Sequence, residues 1–219
     1  MKRLFLFELG VKFLFSYLIG SIMGALTIGK LSGNVDIRDV GSGNAGGTNA
    51  LRTQGFLFAL GVVIIDVGKG IVAVSFIPQW TLPLSVNELQ IGHEALVLCC
   101  ASAAVMGHVW PVWHQFRGGK GAATLIGAYL ALSPFLVVII LAVFIVTLIL
   151  FGFVGLSTMT AGVSVAVFLL IKGTPYTDSL FIFTALMASY LIYTHRSNIQ
   201  RMWRGTEPKN QKMMIFSKK

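Results

Sequence analysis

The chain has 219 residues, of which 55% are hydrophobic and 11% charged, with a net charge of +9. A charged share less than half the roughly 25% of soluble domains excludes a soluble globular protein, which could not cover so much apolar surface. Continuous apolar runs, without alternation over about ten residues, exclude a membrane β-barrel; what remains is an all-α polytopic membrane protein whose backbone groups are satisfied inside each helix.

In chain order, the first apolar run covers about residues 4–29 and carries Glu8 and Lys12 one helical turn apart. It leads straight into a polar segment with no A-x-A site, so no cleaved signal is expected. The second run, about 56–77, carries Asp66 and Lys69 on one face, read as a structural pair holding the bundle. The third, about 91–110, contains the adjacent Cys99 and Cys100, which point apart on a helix and predict neither a disulfide nor a metal site. Its His108 is read as a packing histidine, and Trp110 and Trp113 as interfacial belt residues. Further runs follow at about 121–133, 135–152, 157–171 and 178–194. Spans need about 20 residues, so the short or Gly- and Pro-broken runs allow five to seven, and seven is the expected count. No repeat and no long linker divides residues 1–219, so one domain is expected.

The cations set the orientation. Lys30, Arg38 and Arg52 lie in segment 30–54, Arg117 and Lys120 in segment 111–120, and seven more follow His195 in a tail ending Lys218-Lys219. The connections at 78–90 and 133–135 have none, and 172–178 has only Lys172. The positive-inside rule puts the three basic segments in the cytoplasm, with the N-terminus outside and the C-terminus inside, although Lys2, Arg3 and Lys12 oppose it. The positive balance thus reflects topology and contact of the tail with anionic membrane lipids, and no nucleic-acid partner is expected.

Several motifs are decoys. Gly41-Ser42-Gly43-Asn44-Ala45-Gly46 matches G-x-G-x-x-G but is flanked by membrane helices, not a βαβ unit. Gly24 to Lys30 matches most of a P-loop, but Leu31 stands where Ser or Thr must bind Mg²⁺. His93, His108, His114 and His195 have no metal spacing and no Asp five residues on, and no G-x-S-x-G is present. An enzyme built here has no obvious nucleophile, base, metal or cofactor.

The three polar segments carry the chemistry. In VGSGNAGGTNALR, Gly41 and Gly43 permit a concave nest of amides, Ser42, Asn44, Thr48 and Asn49 add donors, and Arg52 supplies a forked cation. The same residue types also make a polar turn with helix caps. In QFRGGKGAAT, Gly118, Gly119, Lys120 and Gly121 open into a helix, the arrangement of an anion site. In THRSNIQR, His195 and Asn198 share a helix face just past the last run. Cations and donors gathered on one membrane face suit phosphorylated substrates. Two further classes fit less well: a transporter or channel for a phosphorylated anion, for which no inverted repeat is visible, and a non-catalytic lipid-binding scaffold.

These segments, with Gly20-Ser21, VDIRDVGSGNAGGTN, DVGKG, GHVWPVWHQFRGGKGAAT and HRSNIQRMWRGTEPK in this order, resemble the bacterial membrane acyl-phosphate:glycerol-3-phosphate acyltransferases usually called PlsY. Gly47, where Ala is usual, and Met23, where Pro is common, depart from the pattern without removing a donor or a charge. The resemblance implies a seven-helix protein of the bacterial cytoplasmic membrane with a site facing the cytoplasm. It implies acyl transfer from acyl-phosphate to the sn-1 hydroxyl of glycerol-3-phosphate, giving lysophosphatidic acid and inorganic phosphate, with no cofactor. It also implies functional coupling to the soluble enzyme that makes acyl-phosphate. Ser42, Arg52, Lys120, His195 and Asn198 are then the catalytic core, with Gly41, Gly43, Asn44, Thr48, Asn49, Gly118, Gly119 and Gly121 around the phosphates.

Overall fold

The computed structural model describes residues 2–81 and 92–215. The greater part of the connection without Lys or Arg expected at 78–90, and the Lys218-Lys219 end of the tail, lie outside the described residues. Among these residues there are ten α-helices and no strand: α1 Lys2–Gly20, α2 Gly24–Leu31, α3 Gly47–Gln54, α4 Phe56–Ser75, α5 His93–Val109, α6 Ala122–Leu132, α7 Pro134–Phe151, α8 Val154–Ile171, α9 Ser179–Thr194 and α10 Arg196–Trp203. α4, α7 and α8 are each long and apolar enough to cross a membrane, as is α5 with the turn that follows it. α1 and α2 reach that length together as a pair bent by 42°, while α6 and α9 are apolar but shorter. The helical segments follow the seven apolar runs of the sequence closely.

The bend interrupts the first run at Ser21–Met23, with Met23 extended at φ −93° and ψ 111°. A break in an apolar helix frees backbone groups that lipid cannot satisfy. Here Asp66 and Lys69 of α4 satisfy two of them: Gly24 N donates to Asp66 Oδ1 at 3.1 Å, and Lys69 Nζ donates to Ile22 O at 2.7 Å. The intramembrane pair therefore has a definite structural partner, the broken helix.

The described residues form two compact units, the first ending at Leu132 and the second beginning at Ser133. In the first, helices approach closely through small residues, as membrane helices do in the absence of a hydrophobic drive between them. A side chain at Gly70 or Gly127 would strike the backbone of Thr124 or Val67, so α4 and α6 touch nearly backbone to backbone. Gly20 and Gly107 do the same for α1 and α5, against Ala104 and Tyr17. Lys12, buried in α1, pairs with Glu8 at 2.6 Å and donates to Pro78 O at 2.9 Å.

In the second unit, α7 closes on Gly152, in the left-handed region at φ 76°. The α7 hydroxyl of Thr147 meets that of Thr160 in α8 at 3.0 Å. Asp178 caps α9, accepting from Leu180 N at 2.9 Å and Phe181 N at 3.1 Å. α9 passes into α10 through His195, which ends one helix and starts the next.

Candidate functional site

The first polar segment is seated by its apolar residues. Ile37, Ala45 and Ala50 are fully buried against Met23 and Ala25 of the first run and Phe58, Ala59 and Val62 of α4. Asn49, also buried, organises the loop between them. Its Oδ1 accepts from Ser42 N at 2.9 Å, and its Nδ2 donates to Ile37 O at 2.8 Å and Val40 O at 3.0 Å. Gly41 is left-handed at φ 63°, and a side chain there would collide with the Asn49 amide. Asn49 was expected at a phosphate; its amide is instead spent inside the loop, so it shapes the loop that presents Ser42. The Ser42 N–H is likewise engaged, which leaves the exposed hydroxyl as its polar feature.

Gly43 N donates to Val40 O at 3.2 Å and Gly46 N to Asn44 O at 3.0 Å, so the loop is a tight succession of turns. Gly46 then caps α3, whose first turn carries the exposed Thr48 and whose last turn carries the exposed Arg52. Arg52 makes no ion pair with any described residue.

The second segment leaves α5 through residues 112–117. Gln115 and Phe116 are both left-handed, at φ 56° and 57°. For residues with a Cβ this conformation costs about 1–2 kcal/mol each. Gly118 N then donates to Val109 O at 3.2 Å and Gly119 N to His108 O at 3.1 Å. These two amides were expected to face a phosphate; they instead fold the loop back onto the end of α5. Their glycine identity has a steric reason, since a side chain at 118 would strike the carbonyl of His108 and one at 119 the His108 ring. Gly121 is left-handed at φ 87°, and its carbonyl accepts from Leu125 N at 2.9 Å as α6 begins. Lys120 stands half-buried between them.

Arg38 joins the two segments. Its guanidinium forks onto Asp36, with Nε–Oδ1 at 3.0 Å and Nη2–Oδ2 at 2.6 Å. Its Nη1 donates to Arg117 O at 3.1 Å and to His114 O at 3.3 Å. The hydrogen bond from Arg38 holds the Asp36 carboxyl below its usual value, and Asp36 in turn raises the guanidinium. The first and second motifs therefore meet in the first unit, through a residue that sequence reasoning counted only as a topological cation.

The third motif lies in the second unit. His195 Nδ1 is 2.8 Å from Leu191 O; a carbonyl only accepts, so Nδ1 carries a proton. Asn198 Nδ2 donates to Glu207 Oε1 at 2.7 Å, and Arg201 Nε donates to Glu207 Oε2 at 2.6 Å. Asn198 also packs on Gly155, where a side chain would meet it at 2.8 Å. Glu207 is buried and anchors the segment after α10. Sequence reasoning gave it no role, yet it left one signal: it is the only acidic residue after Asp178. Among the described residues no group of three or more His, Cys, Asp or Glu could hold a metal ion.

A family model described as glycerol-3-phosphate acyltransferase matches residues 11–205, which contain all three motifs. A glycerol-3-phosphate acyltransferase of Thermoanaerobacter sp. (strain X514) is 39% identical over 195 residues, covering 89% of this chain and 91% of that one. One from Bacillus velezensis is 40% identical over 194 residues, covering 89% and 93%. The crystal structure of PlsY, an integral membrane glycerol 3-phosphate acyltransferase, in its glycerol 3-phosphate form is 32% identical, with a TM-score of 0.76 over 92% of this chain and 94% of that one. The lysophosphatidic acid form of PlsY gives 0.75 over the same shares.

Proposed function

The chain belongs to the glycerol-3-phosphate acyltransferase family, and from that premise we propose that it moves a fatty acyl group from acyl-phosphate to the sn-1 hydroxyl of glycerol-3-phosphate. The hydroxyl oxygen bonds to the acyl carbon, the bond from that carbon to the phosphate oxygen breaks, and phosphate leaves with the electron pair. The proton goes to a phosphate oxygen, so the products are lysophosphatidic acid and inorganic phosphate. The reaction takes place at the bacterial cytoplasmic membrane, with the site facing the cytoplasm, seven spans and an external N-terminus. Residues 1–219 act as one catalytic domain, coupled to a soluble enzyme that supplies acyl-phosphate.

One observation carries this reading. The exposed Arg52 and the half-buried Lys120 belong to two segments that Arg38 ties together, and among the described residues no group of metal ligands accompanies them. Two cations without a nucleophile suit a donor that is already activated, because a mixed anhydride brings its own leaving group. Catalysis is then positioning and electrostatic stabilisation. Lys120 neutralises one phosphate, Arg52 clamps one bidentately, and Ser42 Oγ bonds a phosphate oxygen or orients the attacking hydroxyl. Asn44, Thr48 and the first turn of α3 supply further donors. His195, through Nε2, and Asn198 bind glycerol-3-phosphate.

The test is turnover by purified full-length protein given acyl-phosphate and labelled glycerol-3-phosphate. Lysophosphatidic acid and inorganic phosphate are expected in equal amounts. Product from an acyl thioester but none from acyl-phosphate would overturn the donor assignment.

A further inference from the structure

Asp66, Lys69 and His108 form a buried polar chain that the proposed reaction does not use. Lys69 Nζ has three polar partners: Ile22 O at 2.7 Å, His108 Nδ1 at 2.8 Å and Asp66 Oδ1 at 2.9 Å. Lys69 thus holds the Nδ1 edge of the His108 ring. Asp66 Oδ1 is 3.5 Å from Nδ1, too far to compete with Lys69 for it.

The other edge of the ring faces the second loop. A Cβ built on Gly119 would collide with His108 Nε2, while Cε1 and Cδ2 would stand at 3.0 and 3.1 Å. Those near-equal distances place the ring end-on, with Nε2 leading. The His108 carbonyl also accepts from Gly119 N at 3.1 Å. His108 thus holds Gly119 from both backbone and side chain, and Gly119 is the residue before Lys120. A buried charge pair is weak evidence for stability, and its best-attested use is to fix one conformation.

We propose that Lys69 and His108 are positioning residues for the reaction: Lys69 locks the orientation of the His108 ring, and His108, through Gly119, sets Lys120 at the phosphate it binds. This rests on the reading of the second loop as a phosphate site. The chain runs from the helix break at Ile22 and Gly24 to the loop, so one ammonium ties the membrane interior to the residue beside the cation.

The test is a double-mutant cycle of Gly119→Ala and His108→Asn in the full-length protein. In His108→Asn the Oδ1 replaces Nδ1 as the partner of Lys69, and the side chain ends short of the Nε2 position. Gly119→Ala is expected to raise KM about tenfold for one phosphate substrate in the wild-type background, and by less than about threefold in the His108→Asn background. KM is measured for both glycerol-3-phosphate and acyl-phosphate, and the one that rises identifies the phosphate the loop holds. The same factor in both backgrounds would overturn the proposal. Independently, the His108 ring ¹⁵N shifts should change in Lys69→Met, with a raised KM and an unchanged kcat. Unchanged shifts and KM in Lys69→Met would overturn the relay; if that variant does not fold, Lys69→Leu replaces it. The NMR readout needs no turnover, so loss of the functional reading, seen as no product from wild type, is distinguishable from loss of the relay.

Discussion

Replacing Arg38 with alanine should open the second loop without unfolding the protein. The guanidinium contributes two kinds of contact. The fork to Asp36 is only partly buried, with side chains 19% and 33% exposed, so solvent screening leaves it about 0–1 kcal/mol. The bonds to Arg117 O and His114 O, at 3.1 and 3.3 Å, are charge-assisted but long, which puts each near the lower end of about 1.5–3 kcal/mol. They oppose the roughly 2–4 kcal/mol stored in the left-handed Gln115 and Phe116. Losing about 3 kcal/mol shifts the loop equilibrium some 150-fold toward release, and apparent affinity falls with the closed fraction. A fall of about tenfold in kcat/KM is therefore expected, mostly in KM, with little change in Tm. Arg38→Lys should not restore it, because lysine cannot fork onto Asp36 while reaching the two carbonyls. Steady-state kinetics with both substrates is the assay. A change of less than about twofold, or an activity loss that tracks a fall in Tm, would refute the reasoning.

Other expectations follow from the same geometry. Arg52→Ala and Lys120→Ala should each lower kcat by about 10²–10³ while the purified protein keeps its Tm, and full turnover in either would remove that residue from the phosphate clamp. Asn49→Asp puts an oxygen against Ile37 O and Val40 O where a donor stood, and should cost roughly 2 kcal/mol or more in thermal unfolding. Glu207→Ala leaves the Asn198 amide and Arg201 without their shared acceptor, and about 1–3 kcal/mol of destabilisation is expected, with Glu207→Gln less severe because one acceptor oxygen remains. The Asp36 carboxyl is held below 3.8 chiefly by the hydrogen bond from Arg38. A depressed folded-state value means that the contribution of the clamp is full above 3.8 and is lost only as pH falls through the lower value. Hydrogen exchange at Phe116 and Arg117, corrected for intrinsic rates, should therefore show constant protection from neutral pH down to the ordinary carboxylate range, and Asp36→Asn should reduce that protection already at neutral pH.

The sequence was most informative where one solvent rule decides the outcome. Apolar runs in lipid must be helices, so their positions were legible to within a few residues, including the end of α6 before Ser133-Pro134, where the two units divide. The bend at Ser21–Met23 was not legible. The groups that satisfy the break come from Asp66 and Lys69, more than forty residues on. Long-range partnership of this kind leaves no periodicity to read. The same holds for Arg38, whose second set of acceptors is carbonyls, and a carbonyl is anonymous in a sequence.

The glycines teach the sharper lesson. A glycine beside a cation suggests an amide free to meet an anion, and the expectation for Gly118 and Gly119 followed from that. Glycine is also what a chain needs where backbone crosses backbone, and the two uses look identical until the donors' acceptors are known. Here the acceptors are Val109 O and His108 O, and Asn49 takes up the Ser42 amide in the first loop in the same way. With those amides committed internally, the proposed recognition of phosphate rests on side chains, Ser42 Oγ, Arg52 and Lys120. A nest of amides tolerates loss of one donor because its neighbours remain, whereas a site resting on a few side chains does not. The steep losses expected from Arg52→Ala and Lys120→Ala, set against a gentler loss at Arg38, are thus a consequence of where the glycine amides point.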